Sequence, residues 1–552
     1  VPEPSPRTAL LFLAALTLIA CGSPRDGSPR VQPAVAPPGG ESGSELAAEQ
    51  VLRRGNGPEP ETLDPHRASS VTASNIARDL FEGLTEMGAA GEVLPAAAAS
   101  WEISEDGRVY TFKLREQARW SNGEAVTATD WVYSLRRAVD PATLSDYAAI
   151  LYPIAGARAV VAGKQPPSTL AVRAVDEATL EIRLHAPTPY FLGLLTHSMA
   201  YPVYRPAIEQ HGERHVRAGN LVSNGAYRLA DWVVQSHIRA ERNPHYWNDA
   251  ATIIDEVWYY AIENQETELR RYRAGELDWT DKLPSRQVEW VRRNLADELV
   301  IAPYFGTYYF GLNNERPPFA GNRALRLALS MAIDREVLTA RITGAGEIPA
   351  YGFVPPLPGY SGQQPEWADW TQSEREAEAR RLYTEAGYSP EQPLRVNLLY
   401  NTDDNHRRLV SAVASMWQQV LGVETRLSNQ EWKVFLQTRR EKRETEVFRS
   451  GWIGDYLDAF TFAELLHSEY GLNDTGYASE RYDGLLEQAA AEADPLRRRA
   501  LLEEAEGVLL DDHPLIPLYF YVTARLVKPW VGGYQPNIMD QHYSKNLYIL
   551  KH

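Results

Sequence analysis

An α/β fold of several domains is predicted by three features of the 552-residue sequence. Strand-like and helix-like patterns alternate between about residues 394 and 451, period-two strands flank a helical stretch between 109 and 184, and the length is ample. At roughly 150 residues per domain it leaves room for two to four domains with cores of their own. The content of 44% hydrophobic and 23% charged residues, with 37 Gly and 37 Pro, is that of a folded soluble chain and excludes collagen-like, disordered and polytopic membrane classes. A net charge of −17 argues against an extended polyanion such as nucleic acid as partner, because phosphate-backbone binding needs clustered Lys and Arg.

From Thr8 to Ala20 the chain is an uncharged apolar run of 13 residues. That is too short to cross a hydrocarbon layer of about 30 Å as a helix. It fits the apolar centre of a secretory signal covering residues 1–20. The run closes in Leu18-Ile19-Ala20-Cys21-Gly22, which resembles a bacterial lipobox. That resemblance implies Cys21 as the first mature residue, lipidated on its sulfur and amine. A buried free thiol is the alternative, but it needs a fold around Cys21, and the Gly/Pro/Ser-rich stretch Gly22 to Glu45 has the composition of a tether. Such a chain spans about 25–30 Å root-mean-square. With one cysteine the protein builds no intrachain disulfide, thiolate zinc site or iron–sulfur cluster.

Farther along, Val109 to Leu114 alternates with Tyr110, Phe112 and Leu114 on one side. Asp130 to Arg137 has helical spacing. Leu170 to Val175 and Thr179 to Leu184 form a predicted hairpin about Asp176-Glu177-Ala178. Ser373-Glu374-Arg375-Glu376 reads as a capping box for a helix ending at Gly387. Leu394 to Tyr400 is a predicted strand, Asn405 to Leu421 a helix closed by Gly422, Val423 to Leu427 a strand, Glu431 to Arg440 a helix and Glu446 to Ser450 a third strand. This alternation implies a parallel sheet with helices on its faces.

Ligands of open α/β sheets bind beyond the carboxyl ends of the strands. The segments there carry His406, then Glu431 and Trp432, then Arg449, Trp452 and Asp455. Each has a plainer reading: His406 and Glu431 as solvated residues at helix starts, Trp432 as core, Arg449 with Asp455 as a surface ion pair. No HExxH, GxSxG, P-loop or EF-hand pattern occurs. His211 and His215 lie four apart, yet no third metal ligand accompanies them and Gly212 weakens the helix, so they read as a solvated pair.

Several motifs resemble those of the oligopeptide-binding lipoproteins and periplasmic proteins that feed peptide ABC transporters. They include Leu63-Asp64-Pro65-His66, the stretch Ser74 to Leu84, Thr111 to Ser134, Asn224 to Val234, Leu398 to Thr402, Asn429 to Phe435, Gly451 to Tyr456 and Ala524 to Tyr534. The C-terminal NLYILKH matches as well, and the likeness runs from Leu52 to His552. It implies a two-lobed clamp of the type II periplasmic-binding-protein kind. Lobe I would comprise residues 46–81, 205–305 and 523–552, with a small α/β domain, 82–204, inserted in it; lobe II would be 306–522. It also implies a monomeric, non-enzymatic, cofactor-free binder, exported to the periplasm or cell envelope and tethered at residues 21–45. Such a binder captures peptides of about two to five residues, largely whatever their sequence, for an inner-membrane ABC permease.

Residue by residue, the resemblance implies that Asp455 pairs with the peptide's α-ammonium and that Val71, Gly451 and Trp452 lie on segments bonding its backbone. Tyr147, Trp432 and Tyr521 match pocket walls, and Arg449 and His406 match the cations for the peptide carboxylate. Two positions depart: a lysine that serves the shortest peptides falls at Thr343, and an acidic residue expected near Val71 is Ser69. A murein peptide or haem on the same scaffold, an exported peptidase or hydrolase, and an acidic receptor lipoprotein are the competing readings.

Overall fold

The strand predicted over 394–400 forms as Arg395–Asn401, and the sheet around it organises half of the described chain. The computed structural model describes residues 45–88, 91–443 and 445–552; Cys21, the run Thr8–Ala20 and the tether up to residue 44 lie outside the described residues. Helix Asp404–Leu421 follows, started by Asp403, whose side chain accepts the His406 N–H, and ended by Gly422 at φ 76°. Such an N-cap is worth about 1 kcal/mol, and a left-handed C-terminal residue favours glycine. Leu409, Val410, Val413 and Trp417 line its buried face, and the Trp417 indole donates to Leu329 O at 2.9 Å.

Glu424–Gln430 and Val447–Ile453 pair parallel with Arg395–Asn401 on its two sides, as the alternation predicted. The sheet as a whole is mixed. Its order is Ile348–Pro349, Leu515–Leu526, Leu299–Leu312, Val447–Ile453, Arg395–Asn401, Glu424–Gln430. The two long strands 299–312 and 515–526 run antiparallel to each other, with a register break between Pro303 and Thr307. The capping box ahead of the helix Gln372–Glu385 is Thr371 with Glu374, not Ser373 with Glu376: the Thr371 hydroxyl accepts Glu374 N–H and the Glu374 carboxylate accepts Thr371 N–H. Ser373 is already the second residue of the helix.

The region 98–183 is a four-stranded antiparallel sheet in the order Ala98–Ile103, Val109–Leu114, Thr179–Arg183, Val172–Asp176. The predicted hairpin is present, and Tyr110, Phe112 and Leu114 face a common core with Trp131 and Leu135 of the helix Ala128–Val139. A third sheet joins Val51–Gly55, parallel, to Glu256–Tyr260, followed by His237–Arg242 and Tyr227–Val233. Where the chain leaves this body near residue 82 and returns near 224, Asn224 clasps both crossings: its Oδ1 accepts Glu82 N–H at 3.0 Å and its Nδ2 donates to Glu82 O at 2.9 Å. The C-terminal strand Tyr548–Ile549 closes on the segment just ahead of strand Val51–Gly55 through Ile549 N–H to Gln50 Oε1, 2.9 Å.

Among the described residues no helix is long and apolar enough to cross a membrane.

Candidate functional site

Strand Val447–Ile453 carries Arg449 into the molecule rather than leaving it at the strand's end, as the shorter predicted strand had it. Arg449 stands opposite Phe310 in the antiparallel register and is 9% exposed. Its Nη2 donates to Tyr521 Oη at 3.2 Å and its Nη1 reaches Asn401 Oδ1 at 3.4 Å, while Cζ lies 5.0 Å from the Tyr308 ring centre. Among the described residues no carboxylate comes within ion-pair distance of Arg449, although the Asp403 charge acts on it from farther away, and its Nε has no hydrogen-bond partner. A cation desolvated against tyrosines and one amide is a strong attractor for an anion.

His406 joins this cluster from the first turn of helix 404–421, its Nδ1 3.4 Å from Tyr308 Oη. Burial, and then the neighbouring Arg449 guanidinium, pushes the imidazole down to about 3, so the ring is neutral at physiological pH. In this arrangement Arg449 is a buried cation and His406 a neutral neighbour of Tyr308, whereas the resemblance implies two cations.

A second cluster surrounds Asp455. The Tyr147 ring is stacked between His197, centroids 5.3 Å apart, and Trp452, 6.2 Å apart and 11° from parallel. Tyr470 meets Trp452 edge-on at 6.4 Å. The Thr461 hydroxyl accepts the backbone N–H of Asp455 at 3.1 Å, which anchors the turn. The Asp455 side chain is 8% exposed; its Oδ1 lies 3.4 Å from His197 Nε2, and its buried Oδ2 has no hydrogen-bond partner. Asp455 and Arg449 are thus not a surface ion pair: each is enclosed in its own cluster. Gly451 and Trp452, between them on one strand, connect the two.

The remaining predicted residues are more dispersed. Val71 is the first residue of helix Val71–Leu80 and is 44% exposed; its turn is held by Glu61, which accepts Ser69 N–H at 2.5 Å and Ser70 N–H at 2.9 Å. The departure at Ser69 therefore leaves a carboxylate close by, supplied from position 61. Trp432 is half-buried and stacked on Phe435 at 6.0 Å. Glu431 is the exposed N-cap of helix Trp432–Glu441, accepting Lys433 N–H at 2.9 Å, which is the plain reading of that residue. Thr343 is 8% exposed and donates to Glu347 Oε2 at 2.7 Å. His215 is not solvated: it is 8% exposed, bonded to Gly212 O at 2.9 Å and 3.7 Å from Asp64. Among the described residues no group of three potential metal ligands occurs.

Sequence reasoning missed His197, Asn401, Tyr308 and Glu347. A lone histidine in THSMAY carries no local signal. Asn401 lies within the matched LLYNT segment, one position past the predicted strand, and was findable there.

The chain matches the family described as bacterial extracellular solute-binding proteins, family 5 Middle, over residues 92–474. It is 44% identical over 516 residues to the periplasmic oligopeptide-binding protein OppA of Escherichia coli (strain K12), covering 93% of this chain and 94% of that one. The solved Escherichia coli murein tripeptide binding protein MppA superposes with a TM-score of 0.89 at 39% identity, covering 92% of this chain and 100% of that one. Haemophilus influenzae OppA, in complex with RPPGFSPFR, superposes with 0.88 at 38% identity over the same shares. A structure of MppA in an unliganded open form gives only 0.69 at 38% identity, covering 93% of this chain and 99% of that one. The α/β architecture is that of the two-lobed periplasmic binders, and the chain belongs to the bacterial extracellular solute-binding proteins of family 5.

Proposed function

We propose that this protein captures oligopeptides of about two to five residues outside the cytoplasm, largely whatever their sequence, and delivers them to an ABC permease in the cytoplasmic membrane. The observation that carries this reading is the pair of enclosed, opposite charges with atoms unpaired: Asp455 Oδ2 in one cluster and Arg449 in the other. A free peptide presents those two charges at its ends whatever its side chains. Arg449 and Asp455 are six positions apart, the strand that carries Arg449 ending at Ile453, two residues before Asp455. At about 3.3 Å per residue that spans roughly 20 Å at most, the length of an extended peptide of about five or six residues.

Between the termini, Val71, Gly451 and Trp452 offer backbone for strand-like addition, which gives affinity without sequence preference. Tyr147, Trp432 and Tyr521 supply pocket walls, with water adapting the pockets to different side chains. His406 is a hydrogen-bonding neighbour of the carboxylate rather than its cation. Residues 46–81, 205–305 and 523–552 serve as lobe I, 82–204 as the inserted domain and 306–522 as lobe II, with a hinge between lobes. The similarity to OppA and MppA structures and the lower match to the open form support reading the described arrangement as the closed one. The protein works as a monomeric binder without catalysis, exported and lipid-anchored at Cys21.

Mass spectrometry of ligands released by denaturing gently purified protein tests this: short peptides with free termini are expected. Recovery of no peptide, together with no calorimetric binding of tri- to pentapeptides, would overturn it. The likeness to the murein tripeptide binder favours a second reading, murein peptide as main ligand. Tighter binding of murein tripeptide than of an all-L tripeptide in the same titration would select it.

A further inference from the structure

His197, from outside the 306–522 body, lies against the Asp455 carboxylate, and no sequence motif singles it out. Its surroundings fix its state. Met199 N–H donates to His197 Nδ1 at 3.2 Å, so that nitrogen is an acceptor and the ring proton belongs on Nε2. Stacking on Tyr147 sets the plane of the ring. Nε2 then faces Asp455 Oδ1 at 3.4 Å, a close polar contact without hydrogen-bond geometry, between side chains only 14% and 8% exposed. Oδ1 thus lies beside the imidazole, while Oδ2 is buried and unpartnered.

We infer that His197 is a positioning residue for the ammonium site. It holds the carboxylate by one oxygen so that the other meets the ligand's terminal ammonium, and it does so only while the inserted domain and the 306–522 body are together. Two further contacts cross the same boundary: Asp146 to Arg440 at 2.8 Å, one residue from Tyr147, and the Tyr190 ring stacked on Tyr456, one residue from Asp455, at 4.8 Å. Closure would therefore assemble the ammonium site rather than merely cover it. A carboxylate that acquires its orienting donor on closure binds the ammonium more tightly in the closed state, and by linkage the ammonium favours closure. This inference rests on the peptide reading above and adds a residue to it.

The test is a cycle between protein and ligand. Wild type, His197→Ala and His197→Gln are titrated with one tripeptide bearing a free N-terminus and with its N-acetylated counterpart, the weaker ligand being read by competition. Loss of a charge-assisted contact predicts that His197→Ala weakens the free-amine peptide about ten- to hundredfold and the acetylated peptide much less. His197→Gln, which can still present an N–H, should recover most of the difference. Circular dichroism melting confirms that each variant is folded; the glutamine variant carries the test if the alanine variant is not. Equal weakening of both peptides by either folded variant would overturn the inference and leave His197 as packing for Tyr147. Wild type binding both peptides equally would overturn the Asp455 assignment itself, a distinguishable failure.

Discussion

A β-carbon at Gly451 would collide with the hydroxyl of Tyr521, so the absence of a side chain at 451 is what lets Tyr521 lie against the strand. The same hydroxyl accepts Arg449 Nη2 at 3.2 Å. The glycine of the matched Gly451 to Tyr456 segment thus serves the cation two residues earlier. Gly451→Ala should push Tyr521 away and leave Arg449 less well held, lowering stability by about 1–3 kcal/mol, the usual cost of overpacking, and weakening peptide binding. Urea unfolding and calorimetry on one preparation check both. A variant unchanged in both would show that Tyr521 can yield without consequence.

Asp455→Asn keeps the shape that His197 contacts and removes the charge. Binding of tri- to pentapeptides should weaken by about 2–5 kcal/mol, the range for truncating one partner of an enclosed charge pair. N-acetylation of the peptide should weaken wild type by a similar amount and the variant far less. An unchanged dissociation constant for Asp455→Asn would sink the assignment.

The segment from 394 to 453 was legible because its two helices and the strand Glu424–Gln430 are exposed on one side and keep their periods; the buried face of helix 404–421 is the one the 3.6-residue spacing marks. Strands 299–312 and 515–526 escaped notice for the opposite reason. Residues 305–312 are buried on both faces, and their run FGTYYFGL shows no alternation to read. Asp455 and Arg449 stood out only by adjacency to strand ends and by resemblance. Their partners His197 and Tyr521 come from distant segments, and no spacing rule brings position 197 to 455. His215 looked solvated because its helix is broken at Gly212, yet that break is what folds it back toward Asp64.

Stability should fall with acid in a specific window. His66 is fully buried; burial, then the Arg137 guanidinium whose Nη1 lies 2.8 Å from its Nδ1, pushes it down to about 4. Between about pH 6.5 and 4 the unfolded chain binds a proton that the folded chain refuses, so stability rises with pH and is lost as pH falls. The slope is at most about 1.4 kcal/mol per pH unit for this residue. Asp64 continues the trend lower down: burial acts to raise it, but the Arg137 pair at 2.6 Å holds it at about 2, so its contribution is lost as pH falls from about 4 toward 2. Because the acidic chain also loses net charge over the upper range, the decisive quantity is a difference. His66→Gln should flatten the pH dependence of urea-unfolding free energy between pH 7 and 5 by about 2 kcal/mol. Parallel profiles for wild type and variant would contradict it.

Peptide length should be limited at its short end by Thr343 and Glu347. The Thr343 hydroxyl donates to Glu347 Oε2 at 2.7 Å, and the same oxygen accepts Ala345 N–H at 2.9 Å and Gly346 N–H at 3.1 Å. The following strand Ile348–Pro349 pairs with Phe520 and Tyr519, next to Tyr521, so this carboxylate borders the Arg449 cluster. Where the resemblance implies a lysine for the shortest ligands, this chain presents the Thr343 hydroxyl beside the Glu347 carboxylate, and dipeptides should bind at least about tenfold more weakly than tripeptides. Restoring the cation alone should fail, because a lysine at 343 would pair with Glu347 instead of the ligand. The double variant Thr343→Lys with Glu347→Gln should tighten dipeptide binding while leaving pentapeptides nearly unchanged, since on the reading proposed above the carboxylate of a longer peptide sits at Arg449. Titration of Ala-Ala and a pentapeptide against wild type, Thr343→Lys and the double variant separates these outcomes. Equal dipeptide affinity in the single and double variants would show that Glu347 does not govern the short end.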